Sequence, residues 1–352
     1  MQRETLGRSD LEVSSMCLGT MTFGHQTDET DGHAQMDLAY DSGITFLDCA
    51  EMYPVNPVRS DTAGRSEEII GSWLKRSGRR AEMQIATKIT GNGSVVRNGE
   101  GYDGAILKRC VEGSLSRLGT DVIDLYQIHW PMRGSYSFRQ NWRYDPSGQD
   151  RAETLDHFED VLRALQEMVQ AGKIRQFGLS NETAWGTTRW IDVAERIGGP
   201  RVVSIQNEYS LLQRLYDTDL AEVGVNEQVT LLAYSPLAAG LLTGKYANGA
   251  VPDDSRIAVD LAHGGKGILG GRKTERAMQA VDAYHALARE HGVDPVHMAL
   301  AWLGTRPFPV IPILGATSLD QLKHQLSGLD VGLTDDLVSA IDDLHRQCPM
   351  PY

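Results

Sequence analysis

Short β-type runs alternate with helical patterns along almost the whole chain, and this alternation restricts the fold more than any other feature. The runs are Ser15–Gly19, Thr45–Ala50, Gln84–Ile89, Ile123–Trp130, Ile174–Ser180, Val203–Asn207, Thr230–Leu237 and Val310–Ala316, eight in all. Between them apolar residues recur at helical spacing, as at Ile106, Leu107, Val111, Leu115 and Leu118. Ser42-Gly43, Ser77-Gly78, Leu118-Gly119 and Ala171-Gly172 each place a glycine where a helix would stop. Eight such units predict a closed (β/α)8 TIM barrel over an open doubly wound sheet, which more often has about five to seven strands. Residues 2–14 read as a β-hairpin ahead of the first barrel strand. No linker rich in Pro, Gly or Ser divides the chain, so residues 1–352 read as one domain.

Three segments break the rhythm. Pro131–Arg151 follows the fourth strand and carries Tyr136, Phe138, Trp142 and Tyr144. Ala238–Arg272 follows the seventh, and Gln347–Tyr352 forms a Pro-containing tail. Loops that follow barrel strands emerge on the face where barrel active sites lie, so the first two segments are expected site walls.

Composition narrows the partners. A net charge of −13 argues against nucleic acid or an anionic membrane, both of which require clustered Lys and Arg. Cys17, Cys49, Cys110 and Cys348 are scattered without a CxxC pair, as free thiols in a reducing compartment would be. Residues Met1–Thr5 contain no apolar signal region, and the longest near-apolar stretch, Val229–Leu242, is about 14 residues, too short to span a bilayer. These features predict a soluble cytoplasmic protein. No HExxH or Cys/His ligand spacing occurs, so no metal is expected.

Four polar residues stand out once the strands are placed: Asp48 and Lys88 at the ends of the second and third strands, His129 at the end of the fourth, and Tyr53 on the loop after the second. Each has a plain structural reading when taken singly: a helix cap, a solvated lysine, a packed tyrosine, a structural histidine. Together they converge on one barrel mouth, and the chemistry that needs this set is hydride transfer to a carbonyl. The oxygen becomes an alkoxide and requires a proton. A tyrosine with a pKa near about 10 is a poor acid until a neighbouring ammonium favours its phenolate. Tyr53 would be the acid, Lys88 its tuner, Asp48 the anchor of Lys88, and His129 a donor orienting the carbonyl oxygen. Phe23, Trp130 and some of the aromatics after the fourth strand would wall the substrate pocket with Tyr53 and His129.

In order and strand position these four residues resemble the catalytic tetrad of the aldo-keto reductases. The resemblance extends to Leu18-Gly19-Thr20-Met21-Thr22-Phe23-Gly24, Gly178-Leu179-Ser180-Asn181, Gln206-Asn207, Tyr234-Ser235-Pro236-Leu237 and Gly315-Ala316-Thr317, and so covers essentially the whole chain. Ala50–Pro57 looks especially like the bacterial Tas-like branch. The resemblance implies NADPH/NADP+ as cofactor and a small-molecule aldehyde or ketone as substrate. It implies Thr20, Met21 and Asp48 near the nicotinamide ribose; Ser180, Asn181 and Gln206 on the carboxamide; and Tyr234 stacked on the ring. Ser235, Leu237 and Lys245 would follow the pyrophosphate. Gly315, Thr317, Gln321 and Arg256 would meet the 2′-phosphate end, where a guanidinium fork favours NADP over NAD. Many relatives have Glu-Asn where this chain has His324-Gln325; Gln325 could still bond an adenine edge, and His324 could be a solvated surface residue.

Two motifs are decoys. Gly265-Lys266-Gly267-Ile268-Leu269-Gly270 fits GxGxxG, but no strand precedes it and no acidic residue follows at the required spacing, so it reads as a loop. Gly240–Tyr246 resembles a P-loop but is one residue short and lacks Ser/Thr after Lys245. Two other functions compete with the reductase. One is a non-catalytic NADPH-binding regulatory module resembling potassium-channel β subunits, which typically lack His at the position of His129. The other is a barrel lyase using Lys88 as a Schiff base.

Overall fold

The computed structural model describes residues 1–352. Two short strands, β1 (Arg3–Thr5) and β2 (Glu12–Ser14), form the expected antiparallel hairpin, with Arg3 opposite Ser14. Eight more follow: β3 (Cys17–Gly19), β4 (Phe46–Asp48), β5 (Gln84–Ile89), β6 (Ile123–Ile128), β7 (Ile174–Ser180), β8 (Val202–Glu208), β9 (Thr230–Tyr234) and β10 (Val310–Leu314). They pair in parallel in sequence order and close where β10 meets β3, Ile313 lying opposite Cys17. This is a (β/α)8 barrel with a hairpin added at its N-terminal end.

Local sequence explains the helices between the strands. Residues Gly104–Leu118 form a helix because Asp103 accepts the backbone N–H of Ile106 at its start. Gly119, at φ 62°, ends it in the left-handed conformation that a side chain would resist. The sequence runs overshoot at the C-terminal ends of several strands: β4, β6, β9 and β10 stop before Cys49, His129, Ser235 and Gly315. Those residues begin the loops, Cys49 and His129 still donating to the carbonyls of Ala86 and Ile89 on β5, and this rim is where a barrel presents its polar groups.

The barrel interior has a gradient of polarity. Cys17, Phe46, Ala86, Leu125, Val203, Leu232, Ile311 and Ile313 fill its lower part, and Leu6, Leu11 and Val13 of the hairpin segment pack onto them as a plug. Strand side chains alternate, so two residues further along β4, β5 and β6 the same inner face carries Asp48, Lys88 and Gln127. The outward residues, such as Leu47, Tyr126 and Phe177, join the large apolar layer beneath the helices. No helix is long and apolar enough to cross a membrane.

The plug makes a testable claim about stability. Leu6 is wholly buried against the barrel floor, and Leu6→Ala should cost about 2–5 kcal/mol, the scale of a truncated core leucine. Urea unfolding followed by circular dichroism measures it; a change below about 0.5 kcal/mol would mean the hairpin merely rests on the barrel.

Candidate active site

Lys88 is fully buried, so its ammonium must be met by protein, and it is. Nζ donates to Asp48 Oδ2 at 2.7 Å, to the Cys49 carbonyl at 2.7 Å and to the Tyr53 hydroxyl at 3.2 Å. Asp48 is held from its other oxygen by Gln206 Nε2 at 2.8 Å and Gln127 Nε2 at 3.2 Å. Tyr53 and His129 meet edge to face with ring centroids 5.8 Å apart. The four residues expected from the strand ends therefore converge at one mouth.

Burial dominates their titration. It pushes the Tyr53 phenol up; Lys88 pulls it down, Asp48 opposes that pull, and the net position is above the ordinary tyrosine value. Lys88 does act in the expected direction, favouring the phenolate, but burial outweighs it. Burial also drives Lys88 down, but the charges of Asp48 and Tyr53 outweigh it and hold the ammonium above its ordinary value. A lysine so protonated is no free amine, which counts against a Schiff-base lyase. His129 is held well below the usual histidine value, first by burial and then by the Lys88 charge. It is neutral at pH 7, and its buried Nδ1 has no hydrogen-bond partner.

These groups open onto a cavity of about 630 Å³. Met21, Ser180, Asn181, Gln206, Tyr234, Ser235, Leu237, Lys245, Arg256, Gly315, Thr317, Gln321 and Gln325 all line it, with Trp130. Asn181 knits the mouth together: Nδ2 donates to the His129 carbonyl at 2.9 Å, and Oδ1 accepts the Tyr234 hydroxyl at 2.8 Å. Gln206 Nε2 is committed to Asp48, while no protein donor reaches its Oε1. At the far end Gln321 Oε1 accepts from the Thr317 N–H and hydroxyl, and Gln325 Nε2 donates to the Gly315 carbonyl. The Oε1 of Gln325 is buried without a partner. His324 reaches the cavity rim half-exposed, paired with Asp294 at 3.2 Å.

Two expected residues do not reach the cavity. Phe23 is wholly buried; its turn folds back at the Phe23–Thr27 bridge and lays the ring against Gly32 on the helix Glu29–Asp41. Thr20 is wholly buried too, its hydroxyl bonded to the Asp48 carbonyl at 3.0 Å and to Ser66 at 2.7 Å, so it fastens a strand end. Of the loop aromatics only Phe138 walls the cavity, edge-on to Trp130. Tyr136 and Tyr144 pack on each other, and Trp142 is exposed.

Lys245 and Arg256 lie in the cavity wall without carboxylate partners. The Arg256 guanidinium contacts the Met21 sulfur at 3.7 Å, and the Lys245 ammonium lies 5.3 Å from the Tyr246 ring. Burial lowers both first; the Arg256 charge adds to it for Lys245, and the Arg272 charge adds to it for Arg256, which is brought to about 10. Cations raised in energy this way fit a polyphosphate. The strap that carries Arg256 is tied to Gln26 through the Asp254 carbonyl, beside Thr27, whose hydroxyl bonds the Thr317 carbonyl. Sequence reasoning missed one further group at the mouth, Arg139 and Arg272 on Glu208 with Tyr352. Partners 64 and 144 residues apart leave no spacing signal.

Comparison with known proteins agrees with this geometry. A family model described as the aldo/keto reductase family matches residues 15–346. The chain is 43% identical to protein tas of Escherichia coli over 100% of its own length and 99% of that protein's. It is 30% identical to the uncharacterized oxidoreductase YrpG of Bacillus subtilis, covering 98% of this chain and 96% of that one. It is also 30% identical to a probable voltage-gated potassium channel subunit beta of Arabidopsis thaliana, over 94% of this chain and 92% of that protein.

The buried histidine sets an expected pH response. The folded pKa of His129 lies below the unfolded value of about 6.5, so its contribution to stability is complete above that pH and is lost as the pH falls toward the folded value. Lys88 has the opposite sign: its contribution is complete below about 10.4 and fades only in stronger alkali. Melting temperature should therefore decline on acidification below about pH 6.5, and His129→Gln should make that decline shallower. Parallel curves for the two proteins would assign the acid sensitivity to other histidines held below their ordinary value by burial, the half-buried His157 among them.

Proposed function

The chain belongs to the aldo/keto reductase family, and on that premise we propose that it acts as one domain to reduce aldehyde or ketone carbonyls to alcohols, with NADPH as reductant and Tyr53 as proton donor. The observation that carries the reading is the buried Lys88–Tyr53–Asp48 cluster, opening with a neutral His129 onto a cavity whose far wall holds unpaired cations.

The residues take these roles. Lys245, Ser235 and Leu237 hold the pyrophosphate; Arg256, Gly315, Thr317 and Gln321 hold the 2′-phosphate; Gln325 meets the adenine. Tyr234 offers its ring to the nicotinamide, with Met21 toward the ribose and Ser180, Asn181 and Gln206 at the carboxamide. Bound there, the dinucleotide supplies the hydride. Tyr53 gives its proton to the carbonyl oxygen as that oxygen gains charge. Burial keeps the phenol protonated at neutral pH, and Lys88, 3.2 Å away, stabilises the phenolate left behind. His129 donates a hydrogen bond that orients the carbonyl oxygen, and Trp130 and Phe138 keep water from it. The four free cysteines support a reducing compartment, the cytoplasm.

The likeness to a channel β subunit raises the alternative of a cofactor-binding module without turnover, and His129 beside Tyr53 favours the enzyme. NADPH oxidation in the presence of a simple aldehyde separates the two. Binding of NADPH without any turnover would establish the module.

Two variants test the assigned roles. Tyr53→Phe should lower kcat by roughly 10²–10⁴, the scale of a lost general acid, with little change in NADPH affinity. Near-normal turnover would remove Tyr53 from the role. Arg256→Leu should weaken NADPH binding about 10- to 150-fold, since a charge-assisted hydrogen bond contributes about 1.5–3 kcal/mol, and should barely affect NADH. Fluorescence titration of both cofactors provides the constants; equal losses would mean that Arg256 shapes its strap and does not read the phosphate.

A further inference from the structure

Beside the Tyr53–His129 mouth, two loops, the end of β8 and the C-terminal tail bring polar groups together. Arg272 grips Glu208 with two bonds, Nε to Oε1 at 2.6 Å and Nη2 to Oε2 at 2.9 Å. Arg139 Nη1 reaches the same Oε2 at 3.2 Å, and the Tyr352 hydroxyl donates to Oε1 at 3.1 Å. Two guanidiniums share one carboxylate, so one positive charge is left over. Glu208 serves Arg272 first. Burial and repulsion from Arg272 hold Arg139 below the ordinary arginine value, with Glu208 only partly opposing them.

Arg139 is also built to face the cavity. Its Nε donates to the Gly270 carbonyl, which fixes the plane of the fork. Gly270 itself sits at φ 64°, and a Cβ there would lie 3.0 Å from Arg139 Nη2. The glycine-rich stretch that mimics a dinucleotide fingerprint thus makes room for this arginine. No protein acceptor bonds Nη2, and Arg139 lines the cavity with His129, Trp130 and Phe138. Phe138 and Arg139 are consecutive non-glycine residues in the left-handed region, at φ 57° and 65°. Such a pair is strained and persists where surrounding contacts over-determine it, often at a binding site.

We propose that Arg139, seated by Glu208, Arg272 and the Gly270 carbonyl, is an anion-binding subsite of the substrate pocket, so that the substrates of this protein are carbonyl compounds that also carry a carboxylate or another anionic group. The proposal rests on the carbonyl-reductase reading. Trp130 packs on His129 and, edge-on, on Phe138, the residue before Arg139, and this apolar edge matches a substrate with an apolar segment joining the two groups. The planar fork suits a carboxylate better than a point charge would.

The test compares para-carboxybenzaldehyde with its neutral methyl ester as substrates, using NADPH. Wild type should favour the carboxylate in kcat/KM by at least about tenfold, the scale of one charge-assisted hydrogen bond. Arg139→Met should reduce that ratio at least about tenfold, and Arg139→Lys should keep part of it. Glu208→Gln should raise the ratio, since it releases a guanidinium; a merely structural role would not give opposite signs, and this variant decides if Arg139→Met does not fold. Calorimetric titration of the NADP+-bound protein with benzoate and benzamide reads the same subsite without turnover, with benzoate binding lost in Arg139→Met. A wild-type ratio near one overturns the proposal. So does a ratio unmoved by Arg139→Met while NADPH affinity falls, which would give the arginine to the cofactor. Absence of all turnover would instead sink the reductase reading, and the benzoate titration would still decide the subsite.

Discussion

The structure of the mouth depends on one buried ion pair, Lys88 with Asp48. An ammonium removed from water is costly, and attraction to a carboxylate offsets that cost only when the remaining donors and acceptors are also satisfied. Here all three ammonium hydrogens have acceptors, on Asp48, Cys49 and Tyr53, and Asp48 is further tied by Gln127 and Gln206. Strands β4, β5, β6 and β8 are thus bound through their inward side chains as well as through the ladder. The position of the Tyr53 hydroxyl follows from this, because the third lysine hydrogen has no other acceptor. A neutral substitution at Lys88 would strand Asp48 among amides and remove the group that fixes the phenol.

That pair sits where it does because the barrel is apolar below and polar above. The hairpin plugs the lower end with Leu6, Leu11 and Val13, so water and ligand have only the upper end to enter. The upper end is also where backbone strain gathers. Six of the eleven non-glycine residues with positive φ, namely Asn56, Phe138, Arg139, Asn181, Ser235 and Ala239, line this cavity. Left-handed conformations in such residues are retained when contacts hold them, and here the contacts include Asn181 bridging His129 and Tyr234.

What the sequence disclosed divides along the same line. Strand order, barrel closure and the convergence of Asp48, Tyr53, Lys88 and His129 were legible because strands have a fixed period, and a residue at a strand end has only one place to go. Thr20 and Phe23 misled for a local reason. They lie one residue before and two after Met21 on the same loop, but the chain turns back there, so Thr20 and Phe23 face inward to Ser66 and Gly32 while Met21 faces the cavity. The Arg139–Glu208–Arg272 group was invisible because two separate loops bring their arginines to the end of β8, and loop paths are set by tertiary contacts that no periodicity records. The ionisation of Tyr53 could not be read from its neighbours either, since it is the balance of burial against a charge that Asp48 already shares.

The distribution of charge connects these observations. A chain with net charge −13 repels anions at long range, yet it concentrates Arg139, Lys245, Arg256 and Arg272 around one cavity. Salt screens the long-range field over about 10 Å, so an anion that reaches the mouth responds mainly to the cations around it. Three of those cations are held below their ordinary values, Arg256 by burial and by Arg272, Lys245 by burial and by Arg256, and Arg139 by burial and by Arg272, while Glu208 holds Arg272 above its own. A base whose folded pKa is lowered is destabilising while it carries its charge. An anionic ligand reverses that sign, returning each pKa toward its ordinary value, and so gains the relief of repulsion in addition to its own contacts. Neutral ligands of the same shape gain only the contacts. For the anion subsite proposed at Arg139, that relief is the source of selectivity, and the strained loops and the glycine-rich strap hold the cations that provide it.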